Sequence, residues 1–119
     1  MIAALIVQKT RGMSLVFWAL CKGADYVGIS VISYLEFLVF DGLSDTDRKS
    51  FESFCARVEV VPLSSDNTTF LTQILELRRL HRLKLPDAII GATALSRNAH
   101  LITNDSHFSG ISSLSVLGC

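Results

Sequence analysis

The sequence predicts an α/β fold built on a largely parallel sheet. Short apolar runs rich in β-branched residues alternate with longer segments whose apolar residues recur at helical spacing. The connections between them are short, which is typical of strand–helix–strand units. Half of the 119 residues are hydrophobic, and this length suffices for one buried core. We therefore expect a single domain over residues 1–119.

The N-terminal third contains one strand and one helix that the pattern defines, and one stretch that it leaves open. Residues 1–21 are mostly apolar with a polar break at residues 8–12, which fits either one kinked helix or a short strand followed by a helix. "DYVGISVI" (Asp25–Ile32) predicts a buried strand. "SYLEFLVF" (Ser33–Phe40) predicts a helix with Ser33 as its N-cap.

The rest of the chain continues the alternation, with no repeats and no low-complexity segment. Capping residues and acids open two of the predicted helices, and Pro62 stops one of the strands. The predicted elements are a helix over Ser44–Val58, a strand over Val58–Leu63, a helix over Ser65–Leu83, a helix over residues 87–97, and strands over His100–Asn104 and Leu114–Gly118.

Charge and cysteine content restrict the class of function. The 11 basic and 11 acidic residues cancel, so the net charge does not indicate a tight binder of long duplex nucleic acid. Three widely spaced cysteines fit a reducing compartment. Lys9 and Arg11 before "GMSLVFWALC" imitate a signal peptide, but no clear cleavage site follows and the run is too short to span a bilayer. We expect a cytoplasmic protein without a membrane segment.

Two aspartates in "LKLPDAIIGATALSRNAHLITND" are predicted to meet at one edge of the sheet. Asp87 stands at the start of a helix of about eleven residues, which rises roughly 16 Å at about 1.5 Å per residue. Asp105 follows a strand of about five residues, which covers a similar distance at roughly 3.3 Å per residue. The helix start and the strand end therefore share the carboxyl edge, where open α/β sheets bind ligands.

Glu36 is placed at the same edge by the same argument, since it belongs to the first turn of a helix that leaves a strand. Three converging carboxylates repel one another unless a cation lies between them, and hard oxygen ligands suit Mg²⁺ or Mn²⁺. The alternative is that each acid only stabilises a helix dipole or forms a turn. The predicted convergence of Glu36, Asp87 and Asp105 favours the metal site.

Three segments together resemble a PIN domain, most closely the VapC-like ribonuclease toxins of toxin–antitoxin pairs. They are "SVISYLEFL", "LKLPDAIIGATAL" and "LITNDSHFSGI", and the resemblance covers about residues 25–117. It implies a three-layer α/β/α fold and an endoribonuclease that depends on Mg²⁺ or Mn²⁺. It also implies an RNA substrate, a frequent homodimer and a cognate antitoxin. Glu36, Asp87 and Asp105 match three acids of the family, and Thr103 and Asn104 match the polar positions beside the last.

The first strand departs from the family pattern. In the family this strand ends in an aspartate that is the first metal ligand, whereas here "IAALIV" (Ile2–Val7) is followed by "QKTRG" and no acid precedes Asp25. Gln8 is the nearest polar substitute and a poor ligand. We therefore expect an altered or replaced first strand, and weak or absent nuclease activity.

A basic stretch precedes the first of the two aspartates. "LRRLHRLK" supplies Arg78, Arg79, Arg82 and Lys84, which are candidates for contacts with RNA phosphates. The alternative is a solvated helix face that offsets the helix dipole. His107, two residues after Asp105, is interpreted as an ordinary loop residue rather than as a general acid or a metal ligand.

Two classes of function compete at this point, and the first is the leading hypothesis. The first is the metal-dependent endoribonuclease, and the second is a non-catalytic binding module derived from the same fold that docks an antitoxin or RNA. The missing first aspartate favours the second. A receiver-type phosphotransfer domain is disfavoured, because no acidic pair follows the first strand.

Overall fold

A computed structural model describes residues 4–7, 23–39, 41–103 and 105–117, and these form five strands and four α-helices. The elements in chain order are β1 (Ala4–Val7), β2 (Tyr26–Ser30), α1 (Val31–Leu38), α2 (Asp45–Cys55), β3 (Glu59–Val61), α3 (Thr68–His81), α4 (Leu85–Ser96), β4 (His100–Ile102), a 3₁₀ turn (Ser106–Phe108) and β5 (Val116–Leu117).

The strands form one parallel sheet in the order β3-β2-β1-β4-β5. The central strand β1 pairs with β2 on one side, where Ile6 aligns with Gly28, and with β4 on the other, where Val7 aligns with Ile102. The predicted parallel α/β fold is therefore confirmed. The N-terminal strand is present over Ala4–Val7, and "QKTRG" after it lies outside the described residues.

The sheet separates two apolar cores, because successive side chains of a strand point to opposite faces. Leu101 and Ile102 show this in β4: Leu101 joins one core with Ile6, and Ile102 joins the other with Ile29. Helices α3 and α4 cover the first face. Helices α1 and α2 supply Phe37, Phe51 and Phe54 to the second, where Phe37 stacks on Phe51 with ring centroids 3.9 Å apart. The result is three layers, helix–sheet–helix.

Helix α1 begins earlier than the sequence predicts. Ser30, not Ser33, is its N-cap: Ser30 has extended backbone angles, and its hydroxyl accepts a hydrogen bond of 3.1 Å from the amide of Ile32. The strand therefore ends at Ser30 and "VI" belongs to the helix. As a consequence Glu36 lies in the second turn of α1, and its predicted place in the first turn is wrong.

Helix α4 is buried in its middle, over the small and apolar residues of "AIIGATA", while its first residues are exposed. All residues from Ala88 to Ala94 are buried, and α4 contacts α3 as well as three strands. Gly91 permits this close packing, since a Cβ there would lie 3.1 Å from Leu77 Cδ1 of α3. Pro86 in the first turn fixes the start of the helix, as expected for proline at this position.

A polar cluster joins three elements at the amino end of the sheet. The Tyr26 hydroxyl at the start of β2 donates to Glu59 at the start of β3, at 2.5 Å. The Arg97 guanidinium, just after α4, donates to both Glu59 oxygens at 2.9 and 3.0 Å. These bonds, that of Arg97 foremost, hold the pKa of Glu59 below its usual range, while burial and the Glu59 contact raise the pKa of Tyr26 to about 12.

None of the helices in the described ranges has the length and apolar content needed to cross a bilayer. Cys55, at the end of α2, is half-buried against the second core and has a free thiol. Burial, with a smaller effect of Glu52, raises its pKa to about 11, so it is an unreactive thiol at neutral pH. Cys21 and Cys119 lie outside the described residues.

Candidate active site

Asp87 is held in the first turn of α4, at the carboxyl end of the sheet. The helix N-cap is Lys84, which makes no side-chain capping bond, so the acid of the first turn is the group that complements the helix dipole. The Asp87 side chain is only 18% exposed. It is thus a partly buried carboxylate at the start of a helix whose middle is buried.

Asp105 is oriented by the turn that follows β4. Its backbone amide donates to the Thr103 hydroxyl at 2.9 Å, and its carboxylate accepts the amide of His107 at 2.8 Å, which caps the 3₁₀ turn. Phe108 at the end of that turn is completely buried and anchors it in the core. The Asp105 carboxylate therefore has a fixed position rather than that of a mobile loop residue.

Asp87 and Asp105 come together, as the crossover geometry predicts, and a third group joins them. His107 Nδ1 lies 2.9 Å from Asp105 Oδ1 and 3.7 Å from Asp87 Oδ2. One ligand atom from each of the three side chains lies within 4.8 Å of the other two. The imidazole is 68% exposed, so the cluster opens to solvent on the His107 side.

The electrostatics of the cluster favour a bound cation. Burial, followed by the charge of Asp105, raises the pKa of Asp87, and this is only partly offset by His107 and Lys84. Two carboxylates and an imidazole form a donor set that divalent ions such as Mn²⁺ accept, and both carboxylates suit Mg²⁺. The residues present therefore fit a divalent metal.

The family model of the PIN domain matches residues 3–114, almost the whole chain. The chain belongs to the PIN domain family. The matched residues include β1, Asp87 and Asp105. The predicted resemblance to this family is confirmed.

Solved structures with the same fold include a toxin–antitoxin complex. A toxin–antitoxin complex from Klebsiella pneumoniae is 24% identical, with a TM-score of 0.66, over 97% of this chain and 96% of that chain. VapBC2 from Rickettsia felis, bound to a DNA fragment from its promoter, is 19% identical, with a TM-score of 0.63, over 97% and 98%. FitAcB from Neisseria gonorrhoeae is 14% identical, with a TM-score of 0.63, over 95% and 96%. No match was found among curated proteins.

The remaining predicted site residues of this PIN domain have different positions. Glu36 is exposed in the second turn of α1 and does not belong to the described three-residue cluster. Thr103 is buried and positions the backbone of Asp105. Asn104 lies outside the described residues, as does Gln8, the sequence neighbour of β1.

The basic residues lie in the last turn of α3 and in the connection from α3 to α4. Arg78, Arg79 and Arg82 line an open groove together with Leu75. Arg78 also donates to the Leu83 carbonyl at 3.0 Å, which fixes the turn between the two helices. Lys84 is exposed and near enough to Asp87 to lower its pKa, so positive charge borders the acidic cluster.

His107 lies beside both aspartates, a contact that the sequence analysis did not predict. The signal that could have identified it is its spacing of two residues from Asp105. In a tight turn capped by an aspartate, the residue two positions later donates its amide to that cap, and its side chain is brought beside the carboxylate.

Proposed function

We propose that this PIN domain is a metal-dependent endoribonuclease of the VapC toxin type, with weak activity. The observation that carries the proposal is the meeting of Asp87 and Asp105, one on a buried helix and one on a fixed turn, at the carboxyl edge of a parallel sheet. The fold of toxin–antitoxin proteins supports the same class. The proposed ion is Mg²⁺ or Mn²⁺.

In the proposed site, the acidic residues hold the metal ion and the basic residues bind the RNA. Asp87 and Asp105 would hold the ion, and Glu36 on the neighbouring helix would complete the acidic surface. A divalent ion bound there supplies positive charge to a phosphodiester and lowers the pKa of water. Arg78, Arg79, Arg82 and Lys84 would bind the flanking phosphates of an RNA strand, which fixes its position without reading its sequence. Thr103 would support the turn that carries Asp105 through its hydroxyl, and Asn104 is proposed as the polar site position between them in the sequence.

The weakness of the activity follows from the sequence after β1. Val7, the last residue of the central strand β1, aligns with Ile102 of β4, the strand that leads to Asp105. In this chain the next residue is Gln8, and no acid precedes Asp25. The site therefore has one carboxylate fewer than the four-acid family pattern, and its affinity for a divalent ion is lower.

The proposed partner is a cognate antitoxin, with a homodimer as the proposed assembly in the cytoplasm. Several of the solved structures with this fold are toxin–antitoxin complexes. Helix α1 offers an apolar surface beside Glu36, since Leu35 is 50% exposed and Val39 is 73% exposed. We propose this surface as the part of the chain that a protein partner covers.

The experiment is cleavage of a single-stranded RNA by the purified chain with Mn²⁺, with Mg²⁺ and with EDTA. We expect slow cleavage with the metals, none with EDTA, and none for Asp87→Asn, which keeps the size of the side chain. Gln8→Asp restores the carboxylate after β1 and should raise the rate at least about 10-fold, as a metal ligand contributes that much or more.

Two results would contradict the proposal. Cleavage that persists in EDTA or in Asp87→Asn would mean that another site, or a contaminant, is responsible. Absence of cleavage in both the wild type and Gln8→Asp, with an antitoxin still bound, would assign the chain to the non-catalytic class.

A further inference from the structure

The acidic cluster contains a nitrogen donor beside its two aspartates. The Nδ1 atom of His107 is near both carboxylates, 2.9 Å from Asp105 and 3.7 Å from Asp87. Its backbone is fixed as well as its ring, because the His107 amide donates to Asp105 and the adjacent Phe108 is fully buried. The imidazole is therefore held at the mouth of the cluster by the same turn that orients Asp105.

We propose that His107 is a protein ligand of the divalent ion, through a ring nitrogen, and that it makes the site select Mn²⁺ over Mg²⁺. This inference rests on the proposed function, since it concerns the ion of the same site. It goes beyond that function by assigning a ligand that is not an acid and by setting the order of preference between the two ions.

The chemistry of the donors gives the direction of the preference. Mg²⁺ strongly favours oxygen ligands in octahedral geometry and keeps several waters, whereas Mn²⁺ accepts imidazole nitrogen together with carboxylates. An imidazole as third ligand carries one negative charge fewer than a carboxylate would, and this weakens the binding of both ions. Only Mn²⁺ regains binding free energy from the nitrogen. The preference therefore comes from the donor set of Asp87, Asp105 and His107.

A purely structural role is the competing explanation for the histidine. In that case His107 only forms a hydrogen bond to Asp105 and orients the carboxylate. The two roles differ in whether nitrogen is bonded to the ion, and this can be measured without any RNA substrate.

The test uses pulsed electron paramagnetic resonance of the full chain loaded with Mn²⁺, which detects nitrogen bonded directly to the ion. We expect this nitrogen signal in the wild type and its loss in His107→Gln. The matched control is His100→Gln, because His100 lies at the opposite end of β4, where its Nδ1 contacts the Ser115 hydroxyl. This variant should keep the signal.

Affinities measured by titration complete the test. His107→Gln should lower the Mn²⁺ affinity about 10-fold and the Mg²⁺ affinity by less than about 2-fold, since Mg²⁺ gains little from nitrogen. His107→Asp, which offers oxygen at the same position, should bind Mg²⁺ more tightly than the wild type does. Circular dichroism of both variants confirms that they fold.

The outcomes separate this inference from the proposed function. A nitrogen signal unchanged in His107→Gln, or none in a wild type that binds Mn²⁺, would overturn the ligand role and leave the metal site standing. A wild type that binds neither ion would overturn both, and Asp87→Asn then shows no difference from it.

Discussion

The carboxylates at the two ends of the sheet have opposite electrostatic environments. At the amino end Glu59 receives hydrogen bonds from Arg97 and Tyr26, which hold its pKa below the usual range. At the carboxyl end Asp87 is desolvated next to Asp105, and its pKa is raised. At the amino end, side chains of the protein itself compensate the charge of the carboxylate. The carboxyl end brings like charges together, and this is the arrangement expected where a cation from solution is the missing partner.

The largest effect on stability is expected at the amino end, from Gly28→Ala. A Cβ at this position would collide with the Tyr26 hydroxyl and lie 2.9 Å from Ile6 Cδ1, so Tyr26 must leave Glu59. We expect a loss of about 1–3 kcal/mol in the free energy of unfolding, measured by urea denaturation.

Tyr26→Phe provides the control for this prediction, because it removes the hydroxyl that the new methyl group meets. In the double variant, Gly28→Ala should be less destabilising than it is in the wild type. Equal effects in the two backgrounds would mean that the contact with the Tyr26 hydroxyl is not the cause, since the ring carbon Cζ, also 2.9 Å from the added Cβ, remains in Tyr26→Phe.

Arg97→Ala tests the paired state of Glu59 directly. Both groups are partly exposed, at 30% and 42%, so solvent screening limits the expected loss in unfolding free energy to about 1 kcal/mol. Lys49→Ala, an exposed change in the middle of α2, is the control and should be nearly neutral. An Arg97→Ala protein as stable as the control would show that the cluster contributes nothing measurable.

Arg82→Gly is expected to stabilise the protein slightly. Arg82 ends α3 in the left-handed conformation, with φ of 56°, where glycine carries no steric penalty. We expect a gain of about 0.5–1 kcal/mol in unfolding free energy, partly reduced by the flexibility of glycine in the unfolded chain.

The same variant should bind RNA less tightly if the groove contacts phosphates, and the salt dependence of binding should fall by about one unit in slope. Arg79→Ala is the matched variant, since it removes a charge of the same groove from a helical position. It should weaken RNA binding without stabilising the fold. Unchanged RNA affinity in both would remove the groove from the proposed interface.

The smallest expected effect is the pH dependence of the free energy of unfolding in the absence of divalent ions. It distinguishes the carboxylates of the two ends of the sheet most specifically. Glu59 has a lowered pKa, so its contribution is present above its ordinary pKa and is lost as pH falls through the lowered value. Asp87 has a raised pKa, so its ionisation opposes folding more as pH rises through that raised value.

Urea denaturation at about pH 7 and about pH 3 measures both contributions. The deficit of Glu59→Gln relative to the wild type should be present at the higher pH and shrink at the lower. Asp87→Asn should exceed the wild type at the higher pH and match it at the lower. An Asp87→Asn protein that is less stable than the wild type at the higher pH would contradict the claim that ionisation of Asp87 opposes folding.

The meeting of Asp87 and Asp105 at the carboxyl end was predictable from the sequence, because it depends only on the lengths of a helix and a strand. A helix that starts at one edge of a sheet and a strand that returns to it bring Asp87 and Asp105 together regardless of the packing between them. Local capping was harder to predict. Ser30 and Ser33 are equivalent as capping residues, and the apolar "VI" between them fits a strand as well as a helix.

The amino end was not predictable, since no local pattern connects its members. Glu59 lies 33 residues from Tyr26 and 38 from Arg97, and the cluster exists only because β2, β3 and α4 pack side by side. The contacts of His107 with Asp105 and Asp87 were not predictable for a related reason. The 3₁₀ turn sets the direction of the His107 ring, and the spacing of residues in the sequence does not reveal that direction.

Calorimetric titration of the metal-free chain with Mn²⁺ tests the contrast between the two ends most directly. The wild type and Arg97→Ala should each bind one ion per chain with similar affinity, because Arg97 lies at the far end of the sheet. The double variant Asp87→Asn/Asp105→Asn, which keeps both side-chain shapes and the cap on the 3₁₀ turn, should bind none. Equal Mn²⁺ binding by the double variant and the wild type would contradict a cation site at the carboxyl end.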